Sequence, residues 1–414
     1  MKSIHKKLVS VLLICAMTTG GAVAVRQCTA ALQEQEDSSA EEPGTSGGTA
    51  AGQDSSEALS DELPAADAAY QSAATDLIFW YEDESYRDFF EAAALRYFRK
   101  TGIKAAAVCR DTMDYIGEVY DGTMQDTVYP DLYLISGQDL EEAYLYGLVS
   151  VNGTDTDGLG IAENAIAAST CAGKLLGYPL SYNVCVFIYQ NGYFDSVPES
   201  LQSLISYANE NEPGENVEYL LEWDVNDPFY DFPFVSNCVS FEKSGTGSMN
   251  VVYDEELYAK DMEYFEQILE SFSVNAATVS EDEIVDNFLA GRTLCAIVDS
   301  DLLYRLEGYS YSLTKIPDLN EELAASTGAL TDMIAVNPYS KQEAAAADFA
   351  RFVTVDFAGE LYKMTGHMPV IPSKDIAWTE QVSYEAYVSA VPAPNSRDAK
   401  DFWVRLEETI SKYF

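Results

Sequence analysis

From Leu77 onward, short apolar runs alternate with longer stretches whose apolar residues recur at helical spacing. Leu77–Tyr81 (LIFWY) reads as a strand and Glu82–Ser85 as a turn and helix cap. Phe89–Tyr97 reads as an amphipathic helix ending near Thr101-Gly102, and Ile103–Val108 as a second strand. A β-α-β unit implies a parallel sheet. Pro130–Ile135 gives a third strand with Ser136–Asp139 at its end, and Leu140–Tyr146 a helix. The pattern repeats after Asn191. Leu201–Asn209, Asp254–Ser271 and Glu281–Ala290 are helical, while Tyr219–Trp223, Gly291–Val298 and Tyr309–Lys315 are strands. Thr331–Val336 begins another strand, Lys341–Val353 is an Ala-rich helix, and Ala399–Tyr413 is a terminal helix.

Between the two halves lies Gly173–Asn191, GKLLGYPLSYNVCVFIYQN. Its first part reads as a short strand and turn, and Val184–Tyr189 as a fully buried strand. Ser181-Tyr182-Asn183 interrupts them. One reading is a chain crossing from one lobe to the other, with Tyr182 and Asn183 facing a cleft. The other is a core strand with one surfaced turn. Polar and acidic residues cluster at strand ends, where α/β folds bind ligands.

Composition narrows the class. The chain has 414 residues, with 24 Lys+Arg against 68 Asp+Glu and a formal net charge of −44. That length allows two domains with proper cores. Such a charge repels nucleic acid and anionic membranes. Lys2, Lys6 and Lys7 precede the apolar Leu8–Met17 and the small-x-small Ala22-Val23-Ala24, a pattern of export. Residues 1–31 are therefore a signal peptide or an N-terminal membrane anchor. Residues 32–75 are Ser, Gly, Ala, Glu and Asp with few apolar groups, and are expected to be a disordered acidic linker. The seven cysteines have no metal-type spacing, and Cys109, Cys185 and Cys295 read as buried small hydrophobes. His5 lies in the leader, leaving His367, in a turn. That argues against a His-based triad or a His-rich metal site. No GxSxG, P-loop or HExxH is present. Neither a cofactor nor a metal is expected, and the chain is read as a non-enzyme.

Several segments, in order, resemble the extracellular solute-binding proteins of ABC importers, in the branch that includes maltodextrin-binding proteins. They are LIFWYEDES with FRKTGIK, YPDLYLISGQD with AYLYGLV, GKLLGYPLSYNVCVFIYQN, GRTLCAIVDSD, and AVNPYSKQEAAAADFARFVT. The resemblance spans Asp76 to the C-terminus. It implies an α/β, two-lobe, periplasmic-binding-protein-like fold of type II, with a hinge of crossing strands and the cleft between the lobes. The first lobe would be residues 76–183 and 316–357, and the second 184–315 and 358–414. It also implies an exported monomer, secreted or held at the outer face of the cytoplasmic membrane. Its partners would be a small-molecule ligand and the permease's transmembrane subunits. Membrane contact would come only through the N-terminal anchor.

Carried over residue by residue, the resemblance assigns Asp227-Pro228-Phe229 to an acid-Pro-aromatic step and Trp403 to a stacking face. It places an acid after the first strand at Glu82 or Glu84. Asn183 stands where the family has a carboxylate, and Ile135-Ser136 and Asp299-Ser300 stand where it has tryptophans. Losing two rings implies a smaller or more polar ligand than a malto-oligosaccharide. Sugars offer hydroxyls at the ring edge and C–H groups on the face, which amides, carboxylates and aromatic rings complement. The candidate ligand set is Glu82, Glu84, Gln138, Tyr182, Asn183, Asp227, Phe229, Tyr230, Asp299, Asp332 and Trp403. Against it stand plainer readings: Glu82-Asp83-Glu84 as a helix-capping cluster, and Trp403 as core. Two alternatives stay open: a cationic ligand such as a polyamine or amino sugar, and a glycoside hydrolase using a carboxylate pair.

Overall fold

The computed structural model describes residues 68–414, apart from 195, 212–213, 215, 244–248, 273, 275–279, 374–375 and 394–396. The leader and most of the acidic linker, residues 1–67, lie outside the described residues. Ordered chain reaches back to at least Tyr70, where the sequence suggested Asp76. The Tyr70 ring meets Phe98 edge-on at 5.4 Å and its hydroxyl donates to Ala105 O at 3.0 Å.

β1 (Leu77–Tyr81) leads through a short 3-10 turn into α1 (Arg87–Thr101), β2 (Ala105–Cys109), α2 (Tyr115–Met124) and β3 (Leu132–Ser136). Gly102, at φ +79, ends α1 with a left-handed cap. Next come β4 (Tyr178–Gln190), β5 (Tyr219–Glu222), α3 (Glu281–Leu289), β6 (Thr293–Asp299), β7 (Tyr311–Thr314) and β8 (Gly328–Val336). The terminal helix is α4 (Arg397–Ile410). Helix α2 and the hairpin of Val239–Lys243 with Met249–Tyr253 were not anticipated.

One mixed sheet carries these strands in the order β2-β1-β3-β8-β4-β6-β5, with β7 also on β4. β1 runs parallel to β2 and β3, and β6 parallel to β5. β8 is antiparallel to both β3 and β4. β4 changes partners midway: Tyr178–Val184 pairs with β8, and Cys185–Gln190 pairs with β6 and β7. It is thus a continuous strand of 13 residues, without the turn suggested at Ser181–Asn183. The polar side chains are accommodated because they find partners. Ser181 Oγ lies 2.7 Å from Tyr86 OH, and Asn183 Oδ1 accepts from Ser300 N and Oγ at 3.2 and 3.0 Å.

Apolar cores flank the sheet. On one side of β1–β3, Phe89, Phe90 and Tyr97 of α1 pack with Phe349. On the other, Ile116 and Val119 of α2 pack with Trp80 and Tyr133. Around the far strands, Trp223, Phe234 and Phe265 form a third core with Phe402 of α4. A fourth gathers Tyr182, Val184, Ile284 and Tyr387. The five described cysteines are free thiols; Cys185 and Cys295 are buried, whereas Cys109 is only half-buried. No described helix is long and apolar enough to cross a membrane.

Candidate functional site

The ends of β3, β5 and β6 and the middle of β4 converge on a cavity of about 390 Å³. Its lining is Gln138, Asn183, Asp227, Pro228, Phe229, Tyr230, Glu281, Asp299, Leu330 and Trp403. Local chemistry explains how these side chains get there. Ser136, at the end of β3, starts a 3-10 turn that turns Gln138 inward. Asp227 caps the short helix Pro228–Asp231 by accepting Phe229 N–H at 2.8 Å, with Pro228 in the first helical position. That turn sets the rings of Phe229 and Tyr230 beside the cavity. Asp299 ends β6 and caps the 3-10 segment Ser300–Leu306 through Leu302 N at 3.0 Å. Asn183 projects from the crossing strand.

Asp299 is the hub. Its Oδ2 accepts from Asn183 Nδ2 at 3.2 Å and from Tyr230 OH at 3.0 Å. Burial, then the charges of Asp301 and Glu281, pushes its carboxyl up to about 7. Burial likewise raises Asp227 and Glu281, each helped by neighbouring acids. No lysine, arginine or histidine is among the described lining residues. Trp403 contributes a ring, and its Nε1–H is buried with no partner among the described residues. The arrangement can accept hydrogen bonds from several hydroxyls at once and cover a flat apolar face.

Seven of the sequence candidates therefore meet in one place: Gln138, Asn183, Asp227, Phe229, Tyr230, Asp299 and Trp403. Four do not. Tyr182 is 3% exposed and stacks on Tyr387 at 4.1 Å, inside a core. The expectation that Tyr182 and Asn183 both face the cleft fails because successive residues of a strand point to opposite faces. Glu84 is exposed and ion-paired with Arg87, while its neighbour Asp83 caps the turn by accepting from Ser85 N at 2.8 Å. Glu82 is exposed near the same end of β1. Partial burial, then the charges of Asp139, Asp111 and Asp332, raises it to about 7. Asp332 is half-buried on β8, accepting from Tyr86 OH at 3.3 Å and Ser181 Oγ at 3.4 Å. Burial, and the charge of Asp301, holds it up to about 6 against the opposing pull of His367.

Glu281 and Leu330 escaped the sequence reading. Glu281 sits in Ser280-Glu281-Asp282-Glu283, which reads as an ordinary acidic first turn. Only the topology brings α3 beside Tyr230.

No protein-family profile matches the chain, and no curated protein matches its sequence. Solved structures do match its fold. The extracellular solute-binding protein of Staphylococcus aureus, in complex with maltose, is 17% identical over 83% of this chain and 93% of its own, with a TM-score of 0.68. A cyclo/maltodextrin-binding protein complexed with maltotetraose is 18% identical over 83% and 92%, at 0.70. The maltotriose-binding protein of Thermus thermophilus, bound with maltotriose, is 18% identical over 82% and 94%, at 0.65. The chain has the two-lobe periplasmic-binding-protein fold of these proteins.

Proposed function

We propose that this protein is an exported solute-binding protein that captures a sugar or oligosaccharide in the 390 Å³ cavity and delivers it to an ABC permease. The observation carrying the reading is the convergence of Asn183, Asp227, Asp299 and Gln138 with the rings of Phe229, Tyr230 and Trp403 around one cavity. Its volume lies in the range of small-molecule sites. Fold neighbours whose structures hold maltose, maltotriose and maltotetraose support the same class of ligand.

In this reading the lobes are residues 76–183 with 316–357, and 184–315 with 358–414. They close about the strands that cross near Val184, and closure is favoured by contacts made only when the cavity is filled. The site binds and releases without chemistry. The N-terminal leader exports the chain and, if retained, tethers it through the acidic linker to the outer face of the membrane.

A thermal-shift screen of the full chain against mono- and oligosaccharides, polyamines and amino acids tests this. The expected result is a concentration-dependent rise in Tm with a sugar. A rise with polyamines alone overturns it, and so does release of new reducing ends from an oligosaccharide.

A further inference from the structure

His367 is the one histidine among the described residues, and it does not line the cavity. It precedes the short strand Met368–Pro369, which pairs with Tyr182 and Ser181 of the crossing strand β4. Its ring is only 12% exposed and lies flat on Tyr86, at 4.2 Å between centroids and 2° between planes. One ring nitrogen, Nδ1, meets Asp301 Oδ2 at 2.9 Å. The other, Nε2, meets Ser85 Oγ at 2.7 Å and Asp83 Oδ2 at 3.5 Å.

These partners come from distant parts of the sheet. Asp83 and Ser85 follow β1, and Asp83 is the neighbour of Glu82. Asp301 follows β6, two residues past the cavity residue Asp299 and within the 3-10 segment that Asp299 caps. In the lobe assignment above, one imidazole joins the strand-end loop of the first lobe to that of the second.

We propose that His367 is a positioning residue: its imidazolium clamps the Asp83 loop to the Asp301 loop and so sets how the two sides of the cleft stand before a solute arrives. This rests on the solute-binding reading for its consequence, but not for its geometry. The charged form is what the surroundings demand. Asp83 faces it from the turn before α1, Asp301 from the segment after β6, and Asp332 from β8. Among the described residues, His367 is the cation in ion-pair contact with Asp83 and Asp301. Burial alone would lower the imidazole; the hydrogen bonds and charges of Asp301 and Asp83, with the charge of Asp332, override it and raise it to about 10. A group raised above its unfolded value of about 6.5 contributes fully below that pH, and its contribution is lost as pH rises through about 10.

The test uses the full chain carrying a nitroxide pair, introduced as non-natural amino acids at exposed Met113 and Val197, one in each lobe. Pulsed EPR distances are measured without ligand for wild type, His367→Gln and His367→Asn. The amides replace one ring nitrogen each and cannot carry the charge. At neutral pH both variants should show a longer or broader distance distribution than wild type. As pH passes about 10, the wild type should move to the distribution of the variants, which themselves stay put. Maltotriose, the probe for affinity, should bind His367→Gln about tenfold more weakly than wild type. Wild-type and variant distances that coincide at neutral pH overturn the proposal, and so does a difference that ignores pH. If the variants fail to fold, proton NMR of the wild-type ring decides: titration near 6.5 overturns the clamp. Failure of every sugar to bind would remove the solute-binding reading and leave the distance result standing.

Discussion

Replacing Asp299 with asparagine should change stability with opposite signs in acid and in base. Asp299 is 9% exposed and sits among Asn183, Tyr230 and Leu302 N. Its folded pKa of about 7 lies above its unfolded value, so the folded state holds the proton more tightly. The carboxyl therefore carries no penalty below about pH 4, and the penalty grows until the pH passes the folded value. At about 1.4 kcal/mol per pH unit, the full penalty is about 4 kcal/mol. Asparagine has no charge to bury. It does turn one accepting oxygen into a donor facing Asn183 Nδ2 and Tyr230 OH, at a cost of about 1–2 kcal/mol. The variant should be less stable by about 1–2 kcal/mol near pH 3, where the wild type holds the proton in both states, and more stable by about 2–3 kcal/mol near pH 8.5. For a fold of about 350 residues, each kcal/mol shifts Tm by about 1.4 °C. Scanning calorimetry of the full chain at both pH values reads the effect directly. The expected pair is a fall of about 2 °C in acid and a rise of about 3–4 °C in base. A difference of the same sign and size at both values would show that Asp299 is not held as an unwelcome buried charge.

Adjacent residues of β4 should separate stability from binding. Tyr182→Ala empties a core position and should cost about 3–5 kcal/mol of stability, measured by denaturant unfolding. Asn183→Ala should instead weaken sugar affinity in calorimetric titration with a smaller loss of stability, since its side chain lines the cavity. Gly366→Ala should lower Tm. Gly366 has φ +84, where a side chain costs about 1–2 kcal/mol, and its new Cβ would lie 2.7 Å from the Tyr304 ring. Tyr304 shares the 3-10 segment of Asp301, so the same change should also disturb the His367 contact.

The sheet was largely legible because its strands are apolar runs bounded by turn residues, and LIFWY, LYLIS and TLCAIVD need no tertiary information to be read. α2 was not, because YIGEVYDGTM carries two glycines, which disfavour a helix in isolation. The packing selects at least one of them: a Cβ at Gly122 would overlap the Val128 carbonyl. In the site, strand-end position picked out Gln138, Asp227 and Asp299 because loops at the carboxyl ends of strands converge in such folds. The period of two would have removed Tyr182 once Asn183 was chosen. Glu281 and His367 had no local signal. One looks like a helix-capping acid and the other like a turn residue. Their roles arise only where topology sets α3 beside Tyr230 and the Met368 strand between two loops.

Tryptophan fluorescence reads whether a sugar occupies the cavity beside Trp403. Of the four tryptophans, Trp80 and Trp223 are buried in cores and Trp378 is on the surface, while Trp403 lines the cavity. Titration of the full chain with sugars should give a saturable fluorescence change that disappears in Trp403→Phe while calorimetry still registers binding. No saturable change with any sugar, or a change that survives Trp403→Phe intact, would mean that this cavity is not a sugar site.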